Sequence, residues 1–308
     1  MLTRYVALVS EESAITRSEL SAVAGALQKQ VSRDFRPIWG IEANVAAFPN
    51  LEDVPLDYWP VIIKDDIGDP SAAGYHEDKN GQPFALVQYS SGWTLTASHE
   101  VLEMLADPFG RRMVAGPSPV RTQGRVNFLV EVCDPSESEE FSYSVNGIPV
   151  SDFYTPHYFD PVKAPGVRYS YKGVITEPRQ VLRGGYLSWY DPVSRRWWQR
   201  TWFSGSRPAD RRLSLNVKNG NVRAAIDRET ELARAKATGR AAPAAGRAGR
   251  ATAMAAPAPI VRPKNPDRAQ ELREAIRAVS EGVARVAESV VAGAAGAAPP
   301  TRSPRGRK

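Results

Sequence analysis

Hydrophobic and polar positions along the first two hundred residues follow two alternating periods. Arg4–Ser10, apolar from Tyr5 to Val9, is a short run with β-branched and aromatic members and predicts a buried strand. Behind it, Thr16-Arg17-Ser18-Glu19 has the spacing of a capping box, and Leu20, Val23, Leu27, Val31 and Phe35 recur at helical period. One amphipathic helix over about residues 17–35 follows, stopped by Pro37, since proline disfavours helical geometry in the residue before it. The runs 43–48, 59–64 and 84–89 then read as strands, the last one after the turn signal Lys79-Asn80-Gly81. From Trp93 the period returns to that of a helix, closed by Asp107-Pro108, so the predicted order to this point is β-α-β-β-β-α.

Beyond Gly110 the pattern is strand and loop. Residues 125–133 read as a strand, Asn146-Gly147 marks a hairpin between 141–145 and 148–153, and a second hairpin pairs 186–190 with 197–202 across Asp191-Pro192. The predicted fold class is α+β: a mixed sheet with a backing helix and a second helix carrying polar groups, followed by β-rich hairpins.

Composition changes the picture after this point, because all 27 aromatic residues lie at or before Phe203. A segment rich in Ala, Pro, Gly and Arg lacks the side chains whose burial offsets chain entropy. The expected organisation is one domain over 1–205 and a mostly disordered tail over 206–308, with a possible amphipathic helix at 267–291. Charge divides at the same boundary: residues 206–308 carry 21 basic against 9 acidic groups, net +12, leaving 19 against 25, net −6. The high pI therefore belongs to the tail, which could bind phosphate backbones or an acidic partner weakly and without sequence preference. The expected folded part is acidic, which argues against a nucleic-acid-binding domain.

The single cysteine, Cys133, cannot form an intramolecular disulfide and reads as a small buried hydrophobe. No apolar run approaches a membrane span, and the stretch Tyr5–Val9 is too short for a signal-peptide core, so the expected location is cytoplasmic by default.

The segment that carries chemistry is Ser98-His99-Glu100-Val101-Leu102-Glu103-Met104-Leu105-Ala106-Asp107-Pro108. At about 100° per residue, His99, Glu103, Asp107 and Glu100 fall within one arc of about 100°. The three acids should repel one another, and no Lys or Arg between Lys79 and Arg111 relieves them. A bound cation would. Imidazole and carboxylate at i, i+4 point the same way, as a helix offers two ligands to zinc, and Glu100 holds the position of the general base in a His-Glu-x-x-His helix. Glu103 stands where that motif has its second histidine, which lowers the net charge of a bound metal and bears on which metal is held. The competing reading is a solvated acidic helix face with a structural histidine.

This arrangement resembles the zincin metallopeptidases, in their minimal and metzincin-like forms, over about residues 4–110. The phrases SHEVLEMLADP, VEVCDP and VSDFYTPHYF are also similar to those of an uncharacterised bacterial protein family, which brings no activity with it. The zincin resemblance implies a catalytic or pseudo-catalytic domain. The metzincin continuation is absent, since Ala106 and Phe109 stand where a glycine and a histidine would be. A third ligand must therefore come from elsewhere: His157, in Thr155-Pro156-His157-Tyr158-Phe159, is the first choice and Glu131 the second. The plain alternatives are a loop histidine and a strand residue facing water. His76 reads as a turn residue, and Tyr154 and Tyr158 as packing or oxyanion donors.

The expected function is zinc-dependent hydrolysis of a peptide or protein substrate, with His99, Glu103 and His157 as ligands and Glu100 as base. The alternative is a non-catalytic zincin-shaped structural or binding protein whose basic tail engages a partner or nucleic acid.

Overall fold

Strand β1 (Arg4–Ser10) enters a five-stranded sheet of order β2-β1-β3-β5-β4, with β2 (Ala43–Phe48), β3 (Tyr58–Lys64), β5 (Gln82–Gln88) and β4 (Gly74–Lys79). The pairs β1–β2, β1–β3 and β3–β5 are parallel, while the edge strand β4 is antiparallel to β5. The computed structural model describes residues 2–69, 72–215, 222–239, 270–274 and 277. Its architecture is mixed α+β, with several sheets and few helices.

The central strands β1, β3 and β5 are covered on both faces, which is why they read as continuous apolar runs rather than alternating ones. Val6, Leu8, Val61, Ile63, Ala85 and Val87 pack toward helices α1 (Arg17–Lys29) and α3 (Trp93–Ala106), and Ala7, Val9, Ile62, Phe84 and Leu86 pack on the opposite side. Thr16 caps α1, its hydroxyl accepting from the Glu19 backbone N–H at 3.1 Å, as the capping box predicts.

The helix does not stop before Pro37. It passes through a π-helical turn, Gln30–Phe35, into the short α2 (Arg36–Trp39) and ends at Gly40 with φ +66°. The turn resets the hydrogen-bond register and places Pro37 in a first helical turn, where its missing N–H costs nothing.

Strand β4 is the larger departure. Its sequence, GYHEDK, is too polar to read as a strand, yet it pairs with β5 through a tight turn at Asn80 (φ 53°) and Gly81 (φ 79°). His76, expected in a turn, thereby lies within β4 and is buried.

A second sheet runs β12-β11-β10-β7-β6, with β6 (Met113–Pro117), β7 (Arg125–Leu129), β10 (Tyr186–Asp191), β11 (Arg196–Thr201) and β12 (Ala209–Arg212). The hairpin β8 (Tyr143–Val145) and β9 (Ile148–Val150) turns at Asn146-Gly147 as expected. Helix α3 packs against β4 and β5 on one side and β9 on another. Enclosed this way it cannot keep a polar face in water, and Glu100, Glu103 and Asp107 go into the interior.

The boundary at residue 205 needs correcting. Strand β12 pairs with β11, and helix α4 (Val222–Thr238) docks with Ile226 buried against Leu129 and Leu213. A few aliphatic contacts and several ion pairs hold these elements, so composition alone did not reveal them. Of the expected helix at 267–291, residues 270–274 are described and helical, with Leu272 buried against the first sheet and Arg273 paired with Glu52; the rest lies outside the described residues.

Truncation after Gly205 is therefore expected to give an unstable chain, whereas truncation after Gly239 should keep a cooperative fold and lose about 1.5–3 kcal/mol, the value of burying one leucine. Chemical denaturation of the two truncates against the full chain tests this. A fully stable 1–205 fragment would show that β12 and α4 add nothing.

Candidate metal centre

Glu103 is the hub of the buried polar cluster that α3 creates. Its Oε1 accepts from the Cys133 backbone N–H at 3.1 Å, and its Oε2 lies 3.2 Å from His99 Nε2 and 3.1 Å from an Arg223 Nη. One helical turn thus brings His99 and Glu103 together, the pair expected from their i, i+4 spacing. Glu131 and Asp134 come from the chain that leaves β7, with Asp134 Oδ1 3.3 Å from His99 Nε2. Gly185 permits that approach: a Cβ there would stand 2.5 Å from the Pro135 carbonyl oxygen and 2.6 Å from that of Asp134.

β4 closes the other side. A Cβ at Gly74 would lie 2.6 Å from Thr96 Cγ2 and 2.9 Å from Glu100 Oε1, so glycine lets the strand lie against α3. Two residues on, His76 Nε2 is 3.0 Å from the Asp107 backbone oxygen and Nδ1 is 3.5 Å from Glu100 Oε2.

Four sets of donors lie with their ligand atoms within 4.8 Å of one another: His99, Glu103 and Cys133; His76, Glu100 and Glu103; His99, Asp134 and Glu137; Glu103, Glu131 and Asp134. The chain thus assembles histidine and carboxylate groups that could hold a metal ion. Glu131, the second choice for a third ligand, belongs here. His157 does not. It sits on the turn Pro156–Phe159 with its side chain 59% exposed and Nδ1 2.9 Å from Asp160, because the neighbouring Tyr158 takes the inward position and stacks on Tyr154. Both tyrosines are buried; the Tyr158 hydroxyl donates to the Gln180 backbone oxygen at 2.9 Å, and the Tyr154 hydroxyl makes no hydrogen bond among the described residues.

His99 and Glu100 line a cleft of about 340 Å³ whose walls also include Gly74, Leu95, Tyr186, Arg223, Asp227 and Arg234. The electrostatics of the cluster are those of charges enclosed together. Burial pushes the Glu100 carboxyl up to about 8, against the pull of His99 and Arg223. It also holds Glu131 and Asp134 well above the ordinary carboxylate range. Burial disfavours a charged His99, but Glu103 and Asp134 beside it outweigh that and raise its pKa well above 6.5. Glu103 shows the converse: burial opposes its charge, and His99 and Arg223 hold it well below the usual range. Burial and Arg223 hold the His76 pKa well below 6.5.

Whether these residues suit a metal can be asked of their oxygen atoms. Among the described residues, Glu100 Oε2 and Glu131 Oε1 are buried without a hydrogen bond, while Glu131 Oε2 lies 3.2 Å from an Arg223 Nη and Asp134 Oδ1 3.3 Å from His99 Nε2. Buried carboxylate oxygens are normally satisfied, and a cation satisfies several at once. The donor set of imidazole and carboxylates fits a divalent ion.

His76, which the sequence places in a turn, Asp134 and Arg223 join the cluster only through the tertiary structure. The Asn80-Gly81 turn could have signalled the hairpin that carries His76, but nothing local marks Asp134 or Arg223. Comparison with known proteins brings no match: no family model, no curated protein and no solved structure matches the chain.

Proposed function

We propose that this chain is a metal-dependent hydrolase of zincin-like build acting on a peptide substrate, with His99, Glu103 and Asp134 holding the cation and Glu100 as general base. The observation that carries this reading is that Glu103 and Asp134 both come within 3.3 Å of His99 Nε2 at the wall of a cleft, beside buried oxygens of Glu100 and Glu131 that lack hydrogen bonds. The zincin-like part rests on element order: strand, backing helix, further strands with an antiparallel edge, then the His-Glu-x-x-Glu helix. One imidazole with several carboxylates is a harder set than two imidazoles, so Mn²⁺ or Fe²⁺ joins Zn²⁺ as a suitable ion. When bound, such an ion supplies Lewis acidity to a carbonyl oxygen and lowers the pKa of water.

Glu100 does the proton work. It faces the cleft from a buried position beside His99, with a carboxylate that accepts a proton and returns it. Among the described residues no helix is long and apolar enough to cross a membrane.

Protein purified without an affinity tag is expected to carry about one equivalent of divalent metal by elemental analysis. His99→Ala should lose it. Glu100→Gln should keep the metal and lose cleavage of a fluorogenic peptide library, and His157→Ala should keep both. Full metal content in His99→Ala would remove the proposal, and unchanged cleavage in Glu100→Gln would remove the assigned base.

A second reading is favoured by the Arg223 ion pairs with Glu103 and Glu131. There the arginine is a permanent counter-charge, and the chain is a non-catalytic zincin-shaped binding protein whose basic C-terminal part engages an acidic partner or nucleic acid. Tag-free protein that takes up no metal even when supplied with it would favour this second reading.

A further inference from the structure

Arg223 is the second residue of α4, and a cation in the first turn of a helix opposes the helix dipole. What draws it in is a set of acceptors. One Nη lies 3.1 Å from Glu103 Oε2 and 3.2 Å from Glu131 Oε2, and the other contacts the ring nitrogens of His76.

His76 Nε2 lies 3.0 Å from the Asp107 backbone oxygen, which assigns the ring proton to Nε2 and leaves the Nδ1 lone pair turned toward Arg223. A ring nitrogen fixed by a backbone carbonyl, with the other nitrogen presented beside two carboxylates, is how proteins prepare a histidine to ligate a metal. The guanidinium thus uses the lone pairs that a divalent ion would use. It leaves others unused: Glu100 Oε2 and Glu131 Oε1 remain without hydrogen bonds.

The rest of α4 is anchored independently of this contact. Thr230 accepts from Gln199 at 2.6 Å, Arg211 binds Glu229, and Arg234 pairs with Glu137 and Glu231. The first turn approaches the cluster past Gly110, where a Cβ would stand 3.2 Å from Arg223 Cβ. The later turns thus keep anchors of their own when the Arg223 contact is released.

We propose that the cluster contains a second cation position, formed by His76, Glu100 and Glu103 with Glu131 beside them, and that the Arg223 guanidinium is its displaceable occupant. Glu103 is shared between the two positions, so loading both makes a carboxylate-bridged pair of ions, and metal and arginine compete for the same acceptors. The inference rests on the metal-binding reading above for its first position, but its second position can be tested separately.

The test is a Mn²⁺ titration of the full chain, by calorimetry and electron paramagnetic resonance. Wild type should bind about one ion tightly and a second at least about tenfold more weakly. Arg223→Met should bind two tightly and give the signal of exchange-coupled ions, and His76→Ala/Arg223→Met should return to one. A folded Arg223→Met that still binds only one ion with unchanged affinity, while wild type also binds one, overturns this inference and leaves the first site standing. If wild type binds none and Arg223→Met gains one ion that His76→Ala removes, the second position stands and the reading of the first fails. Hydrogen exchange covers the case in which Arg223→Met does not fold. In wild type, excess Mn²⁺ should speed exchange of the amides in 226–229, which donate to the carbonyls of the first turn, and unchanged exchange at saturating Mn²⁺ overturns the proposal.

Discussion

Glu103→Ala is expected to destabilise the chain by about 3–5 kcal/mol, the cost of leaving a buried charge without its partner. The substitution takes the counter-charge from His99 and Arg223 together and orphans the Cys133 N–H. For a domain of this size, that lowers the thermal midpoint by roughly 10 °C. Glu103→Gln keeps the volume and an acceptor for Cys133, so it should cost less while still abolishing tight metal binding. Removing both partners of the Arg223 pair, as Glu103→Leu/Arg223→Met, should recover part of the loss, since an apolar pair leaves no buried charge behind. Calorimetric midpoints of the three variants measure this order. A Glu103→Ala chain as stable as wild type would show that the cluster is more open to water than the structure places it.

In the metal-free protein, stability should fall as pH rises from about 5 to 8. Glu100 has a folded pKa of about 8 against an ordinary 4.5, so across that window the folded chain holds a proton the unfolded chain has released. Stability falls with pH wherever the folded state binds more protons. His99, raised well above 6.5, acts in the same sense: its contribution is complete below the unfolded pKa and is lost as pH rises through the folded one. Glu103 is depressed and acts oppositely, contributing above the unfolded carboxylate range and losing that contribution as pH falls through its folded pKa. A tenfold difference in proton affinity between the folded and unfolded chain is worth about 1.4 kcal/mol, so the alkaline decline should reach several degrees of midpoint. A bound divalent ion replaces those protons, and the metal-loaded protein should show a flatter profile. Midpoints recorded from pH 5 to 8.5 with chelator and with added metal decide the matter. A metal-free midpoint that holds level or rises over that range counts against enclosed carboxylates.

The sequence was most legible where one segment met one uniform environment. Strands β1, β3 and β5 lie at the centre of a sheet covered on both faces, and their runs show it directly. Helix α1 buries one stripe, so its period and its cap were both readable. For α3 the existence of the helix, the shared face of His99 and Glu103, and the need for a counter-charge followed from spacing alone. That its acidic face would be buried did not, since a charged stripe reads the same whether water or a second layer of protein lies against it.

The local chain thus determined the helices and central strands, the i, i+4 pair of His99 and Glu103, and the surplus of negative charge around them. Tertiary structure alone decided which groups answer that charge. Topology carries His76 in on a polar edge strand, Asp134 on the turn after β7 and Arg223 on a helix more than a hundred residues downstream. His157, adjacent in the chain to a buried tyrosine, is left facing solvent. The physical reason is one of range: periodicity records the side of a segment that is buried, whereas a ligand set depends on where the ends of distant segments meet.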